Sequence, residues 1–386
     1  MKTAVALLSH RFGNIGHNFM ALGAEAIARQ SFGDDVEIVH YEQHHPFRIY
    51  PEGHWLRLVD KVPHGRLRWI RRYFGRASVY EKYRSELAPM PFNLAVACGG
   101  PNLVAGASQT PEMRILMHHF NGAFASKGVP LVDMAVGSSF PLEGVPARLA
   151  PEDEQFYKTT ASFARVTTVR DLEARRLYGT IGVDAPVIPC AAIGSGRYFE
   201  TFRAPSDSNP DDGDVIVNFQ AKGANTDWGQ NVSATEWAAL VAGVVGDLSK
   251  DGHRILLLCH SAYEERIAHQ LVPGGRVVFP KTEAEYGEAV RNAKVGFVSR
   301  LHAGIALAGI GVPSLVVGND TRIGSTELMG LPSIFSKKLT RESALATLRE
   351  LIRNNQAERQ RLLALRENTI NQYTSIFQAH KRDATS

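Results

Sequence analysis

The stretch 295–317, VGFVSRLHAGIALAGIGVPSLVV, decides the fold class. It opens on an apolar run, Val295–Val298, of strand length. Ser299-Arg300-Leu301-His302 breaks that run. Ala303–Ile310 then reads as a helix whose small residues, among them Ala303, Gly304, Ala306, Ala308 and Gly309, allow close packing on a sheet. Gly311-Val312-Pro313 ends the helix, and Ser314–Val317 is a second apolar strand. A strand, a helix and a second strand in so short a span form one βαβ unit, which places its strands in parallel.

Working outward, the same alternation recurs on both sides. Upstream of this unit it gives strands at Val215–Phe219, Arg254–Cys259 and Val277–Phe279, with helices at Glu236–Ser249, Glu264–Leu271 and Glu283–Asn292. Nearer the N-terminus it gives strands at Thr3–Ser9, Val36–Tyr41, Asn93–Cys98, Val129–Val136, Val166–Val169 and Val187–Ala191. Helices are expected there at Asn18–Gln30, Glu112–Ser126, Asp153–Phe163 and Leu172–Tyr178. Between the two series lies APSDSNPDDGD, residues 204–214, a composition suited to a linker. The expected organisation is α/β with two Rossmann-like lobes, 1–203 and 215–340, joined by 204–214 and followed by a long helix within 341–386. Ligands of open α/β sheets sit outside the carboxyl ends of the strands, so strand–helix turns are where chemistry is sought.

Composition narrows the function classes. The 386 residues are 44% hydrophobic and 21% charged, as in globular proteins. No apolar run approaches the roughly 18 residues that span a bilayer, and the short run Ala4–Leu8 lacks the length of a secretory signal. Three scattered cysteines, Cys98, Cys190 and Cys259, argue for a reducing compartment, and a cytoplasmic location is expected. Neither they nor the histidines His40, His44, His45, His54 and His64 have the spacing of a closed metal site, and no metal is expected. The net charge of +4 is unevenly spread: Trp55–Arg84 holds nine Lys/Arg against Asp60 and Glu81, and the last fifty residues hold ten against five. This points to an anionic ligand or surface rather than to nucleic acid.

Four turns can carry chemistry. Gly13-Asn14-Ile15-Gly16-His17 follows the first strand, where glycines let backbone amides approach an anion or a sugar. Gly99-Gly100-Pro101-Asn102 follows the strand at Asn93–Cys98, and both turns can equally be structural. Arg170 leaves a strand beside Asp171, and its two-pronged guanidinium can bind carboxylate or phosphate, while Asp171 can serve as a helix cap. The sharpest is Ser299-Arg300-Leu301-His302, where a buried strand delivers Arg300 and His302 to a helix start that attracts anions.

At these residues the chain resembles the polysaccharide pyruvyl transferases. Arg300-Leu301-His302 followed by Gly309-Ile310-Gly311-Val312-Pro313 looks like their C-terminal signature. Gly13-Asn14-Ile15-Gly16 is similar to their N-terminal Asn-x-Gly turn, and Val169-Arg170-Asp171 with Gly182 resembles their Val-Arg-Asp segment. The chain departs at His17, where the family usually has an acidic residue, and at Cys190, where it often has Asp. The resemblance implies a glycosyltransferase-B-like arrangement of the lobes and phosphoenolpyruvate as donor substrate, with no further cofactor. The pyruvyl group would pass to sugar hydroxyls as a ketal in surface polysaccharide or glycan-precursor synthesis.

Phosphoenolpyruvate carries a carboxylate and a phosphate, and its site needs at least two cationic groups. Arg300, His302 and Arg170 are the expected catalytic set, with His302 binding phosphate and a candidate proton donor. Asn14, Gly16, His17, Gly100, Asn102 and Lys222 are the expected substrate-binding residues, and Arg322 also follows a strand end. The base stays open among His17, His260, Asp171 and Glu327. The insert 55–84 mixes arginines with aromatic residues. It suits either packing on the first lobe or peripheral contact with the inner membrane face and a lipid-linked saccharide acceptor. Two other readings remain: a glycosyltransferase of similar architecture using a nucleotide sugar, and a non-catalytic sugar- or nucleotide-binding protein.

Overall fold

Two parallel sheets organise the chain. The computed structural model describes residues 2–9, 15–42, 46–50, 52–62, 86, 92–110, 113–114, 117, 120–203, 213–220 and 232–382. Asn14, Lys222, most of the segment 204–214 and most of the insert 55–84 therefore lie outside the described residues.

The first lobe runs β1 (Ala4–Ser9), α1 (Ile15–Phe32), β2 (Glu37–Glu42), β3 (Leu94–Ala97), β4 (Gly100–Leu103), α2 (Asn121–Ser126), β5 (Leu131–Ser138), α3 (Pro151–Phe163), β6 (Val166–Val169), α4 (Leu172–Thr180) and α5 (Gly196–Phe199). The second runs β7 (Asp214–Asn218), α6 (Ala234–Lys250), β8 (Arg254–Leu258), α7 (Ala262–Leu271), β9 (Arg276–Val278), α8 (Glu283–Val290), β10 (Ala293–Val298), α9 (Leu301–Gly309), β11 (Ser314–Gly318), α10 (Gly324–Glu327) and β12 (Ser333–Phe335). Two helices close the chain, α11 (Arg341–Arg353) and α12 (Asn355–His380).

The first sheet is ordered β2-β1-β3-β5-β4, with β6 also paired to β5, and the second is ordered β12-β11-β10-β7-β8-β9. Pairings are parallel throughout, as in β1 with β3, β5 with β6 and β10 with β7. Within its own lobe the second sheet has the doubly wound order 3-2-1-4-5-6, whose switch point lies between β7 and β10. The strands β1, β5, β7 and β10 are buried along their whole length, as their predominantly apolar sequences demand. Side-chain caps start the helices: Asp171 accepts from the Ala174 amide at α4, Ser233 and Glu236 form a capping box at α6, and Ser261 and Thr282 cap α7 and α8. Each such cap is worth about 1 kcal/mol.

Three expectations are corrected. Gly100-Pro101-Asn102 is not merely a turn: it begins β4, and Pro101, which has no N–H to offer, is tolerated because β4 lies at the sheet's edge. Val187–Ala191 is not a strand. Val187 makes one isolated bridge to Val169, because Pro186 and Pro189 remove ladder donors, and Ala191–Ser195 coils into a 3-10 helix. The terminal helix is not continuous but breaks at Asn354. α11 packs Leu345, Leu348 and Leu351 on the second lobe's core. α12 buries Leu362 in a core shared by both lobes, and Ile370, Tyr373 and Phe377 in the first lobe's core. In the helix expected at Glu112–Ser126, the described residues Met113, Arg114, Met117 and Phe120 are helical and α2 follows, while the others before α2 lie outside the described residues.

The seam between lobes is tight. A Cβ on Gly196 would stand 2.0 Å from the Gly309 carbonyl oxygen, so only glycine fits where α5 meets α9. The Gly309 carbonyl also accepts from Arg366 Nη1 of α12 at 2.8 Å. Across the seam, Thr321 donates its amide to the Phe140 carbonyl at 2.9 Å, and its hydroxyl lies 2.8 Å from Ser138 Oγ. The start of the insert, Trp55–Lys61, is a 3-10 helix that buries Leu56 and Val59 in the first lobe. Among the described residues no helix is long and apolar enough to cross a membrane.

Asp133, the third residue of β5, is buried without a hydrogen-bond partner for Oδ2 among the described residues. Burial raises its pKa to about 7. The folded pKa exceeds the unfolded one, so stability is full at low pH and falls as pH rises from about 4 to 7. Asp133→Asn is expected to remove that fall. By denaturant titration the variant should match the parent near pH 4 and exceed it by roughly 2–4 kcal/mol at pH 8.

Candidate functional site

The cleft at the switch point gathers groups from both lobes. Gly16 and His17 of α1, Pro101 of β4 and Arg170 line it from the first lobe. The second lobe contributes Gln220, His260, the run Ser299–His302 and the turn after β11 through Asn319, Asp320 and Arg322. Local bonds hold the second-lobe rim in place: the Gln220 amide donates to Ser299 Oγ at 2.6 Å, and the Ser299 amide to the Asn218 carbonyl at 2.8 Å. β7 and β10 thus deliver their carboxyl ends together.

Arg170 is the most unusual group. It has no measurable exposure, although it lines the cleft. Its Nη1 lies 2.9 Å from His302 Nε2 and 3.4 Å from Cys190 Sγ. Its Nε and Nη2 have no hydrogen-bond partner among the described residues. The guanidinium packs against Gly137, where a Cβ would come within 2.4 Å of Nε. A buried cation with two unanswered N–H groups costs stability unless an anion completes it.

His302 meets that guanidinium from α9. An arginine only donates, so Nε2 accepts and the ring proton sits on Nδ1. Burial first, then Arg170, with His17, Arg322 and His260 adding, holds the imidazole well below its usual pKa. The expectation of a cationic His302 gives way to a neutral ring, whose proton-donating role would need a bound anion to raise its pKa. Arg300 caps α9 with an extended backbone and turns its side chain to Glu264, which accepts from both Nε and Nη2. Glu264 Oε2 also accepts the His260 amide at 2.8 Å. Arg322 is likewise held, by Asp320, with Nε 2.8 Å from Oδ1.

The charge of Arg300 and Arg322 is thus each matched by a buried carboxylate, while among the described residues Arg170 has no carboxylate hydrogen-bonded to it. Leu301 and His302, the first residues of α9, line the same space at the helix's positive end. An anion in this cleft meets Arg170 and a helix start together.

The remaining candidates separate. Gly16 and His17 stand in the cleft, and the His17 ring lies 6.4 Å from that of His302. Gly100 and Asn102 are not among its lining residues; Pro101 between them is, and the Asn102 carbonyl accepts from Tyr157 Oη at 2.7 Å. Asp171 is a cap, accepting from the Ala174 and Ser138 amides, and Glu327 is exposed away from the cleft. Of the four open bases, only His17 and His260 reach it. Sequence reasoning missed Glu264 and Asp320. Ser261-Ala262-Tyr263-Glu264 is the signal of a capping box, but this carboxylate turns to Arg300 and to the amide one residue further out. Among the described residues no group of three His, Cys, Asp or Glu is arranged to hold a metal.

No family model matches the chain, and no curated protein matches it in sequence. Solved structures do match in fold. The UDP-GlcNAc 2-epimerase of Neisseria meningitidis, bound to UDP-GlcNAc, superposes with a TM-score of 0.54 at 8% identity, covering 97% of this chain and 100% of the other. MnaA of S. aureus in complex with UDP gives a TM-score of 0.51 at 10% identity, covering 97% of each chain. At such identities the likeness concerns fold alone: two Rossmann-like lobes in the glycosyltransferase-B-like arrangement.

Proposed function

We propose that this chain is an enzyme acting on sugars that takes a phosphate-bearing donor into the cleft, and that the donor is phosphoenolpyruvate. One observation carries the reading. Arg170 and His302, from motifs 132 residues apart that both resemble pyruvyl transferase segments, meet at 2.9 Å in the cleft. A small anion with two charged ends suits a buried guanidinium beside a helix start, with no carboxylate hydrogen-bonded to it among the described residues.

In that reaction the donor's methylene gains a proton and a sugar hydroxyl adds to the enol carbon. Phosphate then leaves and a second hydroxyl closes the ketal, so the two hydroxyl protons end on the methyl group and on phosphate. Arg170 and the α9 amides would stabilise the departing phosphate. Neutral His302 can take a proton, and can return it once the anion beside it has raised its pKa.

A second reading is a nucleotide-sugar enzyme. The fold comparison favours it, since the two structures named above hold UDP-GlcNAc and UDP. Titration calorimetry with phosphoenolpyruvate, inorganic phosphate and UDP-GlcNAc separates the two. The first reading expects phosphoenolpyruvate to bind in competition with phosphate and to release phosphate when an acceptor is added. Binding of UDP-GlcNAc alone, with UDP released, would replace it by the second.

A further inference from the structure

His260 is 4% exposed and lines the cleft, yet neither ring nitrogen has a hydrogen-bond partner among the described residues. It is fixed in place. Its amide is held by Glu264 Oε2, and its ring stands edge-on to Phe19 of α1 and Tyr286 of α8, with centroids at 6.3 Å and 5.8 Å. Burial and then Arg300 keep the imidazole neutral. A neutral imidazole offers one donor and one acceptor. An ionised phosphate or carboxylate accepts only, and would answer half of that demand. A hydroxyl both donates and accepts, and two neighbouring hydroxyls answer both nitrogens.

We propose that His260 is the hydroxyl-binding residue of the cleft, taking ring hydroxyls of the sugar that this site processes. The proposal rests on the reading of the cleft as a sugar site. It divides the ligand by chemistry, with anionic groups at Arg170 and the start of α9, and hydroxyls at His260, whose ring is backed by the buried Phe19 and Tyr286. The hydroxyls can belong to the acceptor or to the sugar of a nucleotide-linked donor, and the probes below distinguish these sources.

The test uses the full chain with His260→Leu, which removes both polar atoms, and His260→Gln, which restores a donor and an acceptor. The probes are methyl β-D-galactopyranoside, methyl α-D-mannopyranoside, UDP-GlcNAc, phosphoenolpyruvate and inorganic phosphate, with Kd read by calorimetry. At least one hydroxylated probe should bind, at least tenfold more weakly to His260→Leu, with part of the loss recovered in His260→Gln. Phosphoenolpyruvate and phosphate should stay within threefold of the parent. An effect confined to a pyranoside assigns the hydroxyl to an acceptor, and one confined to UDP-GlcNAc assigns it to the donor sugar. Should His260→Leu fail to fold, ring ¹⁵N spectra of the parent chain decide, with the His260 signals expected to move with a hydroxylated probe and not with phosphate. The proposal is overturned if phosphate weakens as much as the sugar, if sugar binding is unchanged, if the His260 signals stay still, or if no hydroxylated probe binds at 50 mM. Failure of the anion reading is distinct: it would show as unchanged phosphate affinity in Arg170→Met.

Discussion

Replacing Arg170 with methionine is expected to lower phosphate and phosphoenolpyruvate affinity at least a hundredfold, and turnover by about a thousandfold, while the fold stays as stable or gains about 1–2 kcal/mol. The opposed signs are the point. A buried arginine that served packing alone would be answered by carboxylates or carbonyls, and its loss would destabilise. Here, among the described residues, two of its nitrogens are unanswered and Nη1 finds an imidazole nitrogen and two sulfurs. Methionine keeps much of the volume and removes the desolvated charge. Calorimetry with phosphate and a denaturant titration on the same variant give both signs. A large stability loss would mean the guanidinium is structural.

The second large effect falls on Glu264. Its carboxylate is 2% exposed and holds both Arg300 and the His260 amide. Glu264→Gln should destabilise by about 3 kcal/mol, because a charged guanidinium, itself 16% exposed, loses its counter-charge. The double variant Glu264→Leu with Arg300→Met should recover most of that stability, since a whole ion pair can be exchanged for apolar groups at little cost. It should not recover turnover. Full stability in Glu264→Gln would contradict the buried pair.

The fold was legible where burial writes a simple pattern. β1, β5, β7 and β10 are covered on both faces, so their sequences are predominantly apolar and their ends read to within a residue or two. β12 was not seen because three residues, Ser333–Phe335, carry no period. β4 hid behind Gly99, Gly100 and Pro101, turn-like residues that an edge position tolerates. The break at Asn354 left no proline or glycine to mark it, only a helix of mixed polarity that changes lobe.

The site was legible as motifs and not as charge. Arg170, Arg300, His302, Gly16 and His17 do converge. Their charge states depend on what touches them, and that is set by tertiary contacts: Glu264 on Arg300, Asp320 on Arg322, Arg170 on His302. His260 sat among the open bases because a lone histidine after a strand says nothing of burial. Its two unanswered nitrogens are visible only once Phe19 and Tyr286 close around it.

The central claim is that an anionic donor group sits between Arg170 and the start of α9. A crystal of the unmodified chain soaked with phosphoenolpyruvate tests it most directly. The account expects the phosphate or the carboxylate within hydrogen-bond distance of Arg170 Nε or Nη2 and of the Leu301 or His302 amide. Ligand bound elsewhere, with Arg170 still lacking an anionic partner, would contradict it.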